Sequence, residues 1–320
     1  MNYPRPRLAF TVVELLVVTV IFSILMSLLV VGGQPSAGGQ IRRLAQSIVS
    51  AILTAQTSAL GNEAGAAVIF EPSSTTSNAC NALFFADSQP YIKGTVGSGV
   101  PPSSLASTST TVALTPTNAD AADLANGYKI LFRCDEPYLA ASPWMSISSG
   151  TTVAFRTSAN QTAQNTIWPK KPATAPLQFL VARYPVKSSP AIDVIKTAAI
   201  DLRYSGIGNT TTGDYGALAN KGAIAITFNS AGVIDAVMQN VLATTKSVQP
   251  VVPAAPLYLL IASLSDIQSN ESLQKEYSLW LVLAPNTGRI TIASNVTQNG
   301  TAEVDVINAR AKARQSIAVK

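Results

Sequence analysis

The sequence predicts an α+β protein in which a long N-terminal hydrophobic helix is followed by an antiparallel, β-rich head bearing large loop insertions. Three observations predict it. Residues 10–31, FTVVELLVVTVIFSILMSLLVV, form an apolar run interrupted by one charge, Glu14. Residues 41–60 carry apolar side chains at helical spacing. Beyond them the chain becomes a series of short strand-like runs separated by turn residues.

The apolar run comes first. As a helix its 22 residues would rise about 33 Å, against a hydrocarbon core of about 30 Å. Arg5 and Arg7 precede it, and the next charges downstream are Arg42 and Arg43. A basic leader favours a cytoplasmic N-terminus, which puts the rest of the chain outside. A secretory signal peptide has a shorter apolar core, about 7–15 residues, and no acid in it. The small residues at Val31-Gly32-Gly33 keep signal-peptidase cleavage open as an alternative. A lone carboxylate inside a bilayer is costly, and such residues have a partner or a function.

The residues around that carboxylate are Ala9-Phe10-Thr11-Val12-Val13-Glu14-Leu15-Leu16-Val17-Val18. Together with the leader, residues 1–9, they resemble the prepilin-type cleavage and methylation motif of type IV pilins and type II secretion pseudopilins. The resemblance implies that a prepilin peptidase cuts between Ala9 and Phe10 and that the new Phe10 amine is methylated. It makes Glu14, the fifth mature residue, the assembly carboxylate. Ala9 departs from the family's usual Gly but is also small. Glu14 would neutralise the Phe10 amine of a neighbouring subunit, and in a low dielectric such a pair offsets part of the desolvation cost of both charges. The implied partners are other pilin or pseudopilin subunits, an inner-membrane assembly platform with its ATPase, and membrane lipid before assembly. The implied location is the inner membrane, single-pass with the head in the periplasm or outside, and then an extracytoplasmic filament.

Residues 32–40 hold four glycines and a proline and read as a hinge. Residues 41–61 read as an amphipathic helix. Ile41, Leu44, Ala45, Ile48, Ile52, Ala55 and Ala59 form its stripe, and Gly61-Asn62 its stop. The stripe suits packing beneath a sheet. Residues 62–301 read as one β-rich head with strands at 66–70, 82–86, 128–132, 152–156, 177–184, 200–204, 223–228, 233–237, 257–262, 278–283 and 289–293. Hairpin turns are expected at Asn229-Ser230-Ala231-Gly232 and Pro285-Asn286-Thr287-Gly288. The stretches 87–126, 157–176, 205–221 and 244–256, rich in Ser, Thr, Pro and Ala, read as surface loops or insertions. Residues 302–320 read as a basic C-terminal tail with a helical segment, solvated or docking on an assembly partner.

Residues 41–70 are also similar to the helix-then-strand opening of H-type minor pseudopilins. ITFNSAGVID (226–235) and LAPNTGRITIAS (283–294) look like later hairpins of that family. The tail, from YSLWLVLAPNTGRIT to INARAKARQS, looks like prepilin-like cassette proteins of verrucomicrobial genomes.

Composition narrows the function. Charged residues make up only 12 % of the chain, and the formal net charge of +5 includes Arg5 and Arg7 of the leader. No basic patch interleaved with aromatics is present, so no nucleic-acid partner is indicated. The chain has no histidine, which excludes Ser-His-Asp and Cys-His arrangements and His-containing zinc sites. Two cysteines cannot form a four-thiolate site, and no phosphate-cradling glycine motif occurs. Asn118 to Asp123 and Asn209 to Asp214 are rich in oxygen ligands, but neither follows the EF-hand pattern. No catalytic residue, metal site or cofactor is therefore assigned. Cys80 and Cys134 flank strand-like runs and could pair in an oxidising compartment, a closure worth about 4 kcal/mol on the chain-entropy model. Two independent buried thiols are the alternative.

These readings converge on a non-enzymatic minor pilin or pseudopilin. An anchored adhesin head is the second reading, and an anchored enzyme with a carboxylate site the third.

Overall fold

The computed structural model describes residues 13, 15–23, 36–73, 76, 78–96, 110–120, 123–124, 129–133, 145–147, 152–155, 177–192, 197–212, 215–219, 222–240 and 248–318. Among the described residues, the α-helices of the head are α1 (Ala37–Leu60), α2 (Leu264–Ser269) and α3 (Glu303–Ala318). The first strands are β1 (Ala66–Pro72), β2 (Ala79–Asp87), β3 (Ile92–Val96), β4 (Thr110–Pro116), β5 (Lys129–Arg133), β6 (Met145–Ser146), β7 (Thr152–Phe155) and β8 (Leu177–Ala182). They continue as β9 (Val186–Lys187), β10 (Ala198–Ile207), β11 (Ala223–Phe228), β12 (Ile234–Asn240), β13 (Val248–Val251), β14 (Leu257–Ser263), β15 (Leu279–Leu283) and β16 (Ile290–Ser294).

Two antiparallel sheets result. The larger has ten strands in the order β13-β12-β11-β1-β2-β10-β14-β15-β16, with β9 added against β2. Both faces of its middle are covered, and β14 (LYLLIAS) and β15 (LWLVL) are almost wholly apolar. Leu257, Leu259 and Ile261 of β14 face the core beneath α1, whereas Tyr258 and Leu260 face the core beneath α3. In β15, Leu281 and Leu283 face one way and Trp280 and Val282 the other. This period of two inside an all-apolar run is what a strand buried on both sides requires. Helix α1 lays Ile41, Leu44, Ile48 and Ile52 on the first face, all nearly inaccessible to solvent. Burying a side chain of that size contributes about 1.5–3 kcal/mol, so this stripe is a principal anchor of the head.

The smaller sheet has six strands in the order β6-β5-β8-β3-β4-β7. It is inserted in the chain between β2 and β9, so the chain leaves the large sheet at 88–91 and returns at 183–185. The two crossings touch: Arg183 Nη2 donates to Gln89 Oε1 at 2.6 Å.

Several expectations are corrected. The helix expected at 41–61 begins at Ala37, inside the expected hinge, because the Ser36 hydroxyl accepts from the Gly39 N–H and caps it. Gly38 and Gly39 then sit in the first turn, where their cost is smallest. Strands β3 and β4 lie within 87–126, and β13 within 244–256, all read as loop. The basic tail is not free. Helix α3 docks on the large sheet through Val306, Ala309 and Ala313. Both expected hairpin turns are present, with Gly232 at φ 72° and Gly288 at φ 64°. Among the described residues no helix is long and apolar enough to cross a membrane. Most of the expected span 10–31, and the hinge up to residue 35, lie outside the described residues.

Candidate functional site

The apolar N-terminal stretch is described at residue 13 and over 15–23, and all of these residues are helical. Its side chains have no cover from the head: Leu15 is 62 % and Phe22 60 % exposed. The hydroxyls within it are satisfied internally. Thr19 Oγ1 donates to the carbonyls of Leu15 (3.0 Å) and Leu16 (2.9 Å), and Ser23 Oγ to that of Thr19 (2.8 Å). A helix whose hydroxyls bond its own backbone while its apolar side chains lie exposed suits lipid or a protein partner. Ala9, Phe10 and Glu14 lie outside the described residues.

Residues 4–30 match the family described as the prokaryotic N-terminal methylation motif. The chain carries a prepilin-type signal. Ala9, Phe10 and Glu14 all fall inside the matched segment. The signal implies processing by prepilin peptidase and assembly with other pilin subunits. No curated protein and no solved structure matches this chain.

The head places the remaining candidate residues. Cys80, on β2, is a free and buried thiol in the core beneath α1. Burial pushes its pKa up to about 12, and its Sγ donates to the Ala82 carbonyl at 3.6 Å. Cys134, its expected partner, lies outside the described residues. The oxygen-rich segments are used by the protein itself. Asn118 accepts from the Lys93 N–H at 2.7 Å and donates to the Tyr91 carbonyl at 3.0 Å, pinning β3. Among the described residues no group of carboxylates and thiols is arranged to hold a metal.

The second oxygen-rich segment surrounds a residue that sequence reasoning took for part of a solvated tail. Arg310 of α3 is fully buried. Its Nε and Nη2 donate to the Tyr204 carbonyl (3.2 and 2.6 Å), and Nη2 also to that of Gly216 (3.0 Å). Nη1 donates to the carbonyls of Gly208 and Thr210, both at 2.9 Å. All five N–H donors of a guanidinium are thus used, every one on backbone oxygen. Burial lowers its pKa to about 10, so it is charged at neutral pH. The loop oxygens that resembled a cation site do hold a cation, and it belongs to the protein.

A cleft of about 530 Å³ lies where the two sheets join. Its walls come from the turns at 62–64 and 229–230, the crossings at 88–91 and 183–185, and β3 and β12. Tyr91 Oη donates to Asp235 Oδ2 at 3.4 Å across it. Burial raises the Asp235 carboxyl above its usual range, an effect partly offset by that hydrogen bond. The sequence held no signal for this cleft, because its residues are scattered through the chain and include crossings read as loop.

Proposed function

We propose that the chain is a minor pilin or pseudopilin subunit of a type IV pilus-like or type II secretion filament. The match of residues 4–30 to the methylation motif carries this reading, with Glu14 as the one charge in the stretch 10–31. The subunit waits in the inner membrane through residues 10–31, is cut before Phe10, and enters the filament as Glu14 meets the Phe10 amine of its neighbour. The assembly platform and ATPase act in trans. The head has a structural or binding role and no catalytic one, in keeping with a chain that lacks histidine.

Intact-mass analysis after co-expression with a prepilin peptidase tests this. The expected product lacks residues 1–9 and carries one methyl group on Phe10. A mature terminus at Gln34 would overturn the proposal in favour of a signal peptide. Glu14→Leu is expected to insert at least as well, because it removes a residue costing about 2.5–3.5 kcal/mol at mid-helix, and to be cleaved as before, because the cut lies upstream of it. Its share of sheared-filament protein should fall, since the neighbour's amine then lacks a partner. Undiminished entry into filaments would remove Glu14 from the assembly step.

A further inference from the structure

Among the described residues one asparagine is followed directly by glycine: Asn299, with Gly300. The pair lies in the irregular stretch between β16 and α3, and Asn299 is exposed. That stretch is tied down on either side of the pair. The Gln298 N–H donates to the Leu273 carbonyl at 3.1 Å, and the Ala302 N–H to Asp305 Oδ2 at 3.1 Å. Between these anchors, among the described residues, neither the Asn299 side chain nor the Gly300 N–H is hydrogen-bonded. Other asparagines of the head are held in place. Asn295 is buried, its Oδ1 accepting from Trp280 Nε1 and its Nδ2 donating to the Leu273 and Lys275 carbonyls. Asn229 Oδ1 accepts from the Ala231 and Val233 N–H groups, and Asn62 Oδ1 from that of Ala64. Asn308 lies within α3, where the next amide belongs to the helix ladder. The second Asn-Gly pair of the chain, Asn126-Gly127, lies outside the described residues.

We propose that Asn299 is a site of spontaneous covalent modification in the folded protein: deamidation through its neighbour's backbone nitrogen, with water as the co-reactant. The Gly300 nitrogen, its proton taken by hydroxide, attacks Asn299 Cγ. The N–Cγ bond forms, the Cγ–Nδ2 bond breaks, and ammonia leaves with a proton from water. A succinimide ring remains. Water then opens it at Cγ to give aspartate, or at the backbone carbonyl to give isoaspartate, and no electrons are exchanged with any other group. Gly300 serves this chemistry in two ways. It has no Cβ to crowd the attacking nitrogen, and its backbone turns freely enough to let the ring close. A Cβ built there would stand 2.6 Å from Asp305 Oδ2, so the new carboxylate arises beside an existing one. The isoaspartate product also lengthens the main chain by one carbon between the two anchors, in the stretch that leads into α3. The inference stands apart from the filament reading, since neither leader cleavage nor assembly enters its test.

The test is incubation of the full-length chain in detergent at mildly alkaline pH, folded and in urea, followed by peptide mapping with fragmentation. Aspartate and isoaspartate are expected at position 299 of the folded protein. The rate should lie within about tenfold of the rate in urea, because a loop with little opening cost is little protected. Gly300→Ala should slow the conversion by about tenfold, since its Cβ stiffens the backbone and shields the nitrogen. That change also crowds Asp305, so Asn299→Gln, at an exposed side chain, provides the second variant. It should abolish the conversion in this peptide, because the longer side chain closes a larger and less favoured ring. Three results would each overturn the proposal. They are protection of Asn299 by more than about tenfold on folding, a rate that Gly300→Ala leaves unchanged, or conversion in the same peptide that survives Asn299→Gln.

Discussion

Helices α1 and α3 lie on opposite faces of the same ten-stranded sheet, and different forces hold them. Helix α1 is held by an aliphatic stripe, with Ile41, Leu44, Ile48 and Ile52 pressed on β1, β10, β14 and β15. Among its described side chains, helix α3 offers Val306, Ala309 and Ala313 to its side of the sheet. It makes up the difference with Arg310, which binds the backbone of β10 and of the loop that follows. The first mode is non-directional and spread over many atoms. The second concentrates specificity in one planar group whose donors match four carbonyls. Among the described residues no carboxylate pairs with this buried cation, and oriented backbone dipoles replace its hydration.

The largest effect expected from this comparison is at Arg310. Arg310→Met keeps much of the volume but leaves the Tyr204, Gly208, Thr210 and Gly216 carbonyls without those donors. At about 1–3 kcal/mol for each buried unsatisfied group, the loss should exceed about 4 kcal/mol. Urea unfolding followed by tryptophan fluorescence measures it, Trp280 lying in the core under α3. The pH dependence distinguishes this clasp from a salt bridge. A basic group whose folded pKa is lowered binds fewer protons in the folded state only between about 10 and its ordinary value. Its contribution to stability therefore rises with pH in that window and is flat below it. The difference between parent and Arg310→Met should stay constant from about pH 5 to pH 8. A difference that shrank on acidification would mean that a carboxylate shares the guanidinium.

On the other face, Ile52→Ala should cost about 2–5 kcal/mol, the transfer term plus a cavity that the sheet cannot close. If this cost exceeded that of Arg310→Met, the apolar stripe would be the stronger of the two devices and the contrast would reverse.

The same contrast explains what could be read in the sequence. The stripe of α1 was legible because Ile and Leu recur at helical spacing. Positions 306, 309, 310 and 313 also recur at helical spacing, but Val, Ala, Arg and Ala carry little apolar weight, so the segment read as a tail. β14 and β15 were legible as apolar runs between turns, while Gly232 marked the β11–β12 hairpin and Gly288 the β15–β16 hairpin. β3 (IKGTV) and β4 (TTVALTP) contain the Gly, Thr and Pro that also make loops, and pairing in the second sheet decided their conformation. The N-terminal signal was legible because a peptidase must read it as linear sequence. The cleft was not, because it exists only once distant crossings meet.

The smallest effects expected are at the helix caps. Ser36 Oγ accepts from the Gly39 N–H at 3.3 Å, and Asp305 Oδ2 accepts from the Ala302 N–H at 3.1 Å. Both bonds satisfy a backbone donor just at a helix start, and alanine at either position should cost about 0.5–1 kcal/mol. The two variants should nevertheless differ in what they loosen. Ser36→Ala frays a turn that contains Gly38 and Gly39, and the stripe beginning at Ile41 holds the rest of α1 in place. Asp305→Ala frays the turn that leads directly into Val306 and Arg310, so it bears on the clasp itself. Hydrogen exchange can separate them. After Ser36→Ala, faster exchange should be confined to the first turn of α1. After Asp305→Ala, it should extend along α3 and into the loop at 208–216. Equal and purely local effects at both caps would show that Arg310 holds its carbonyls without help from the start of its helix.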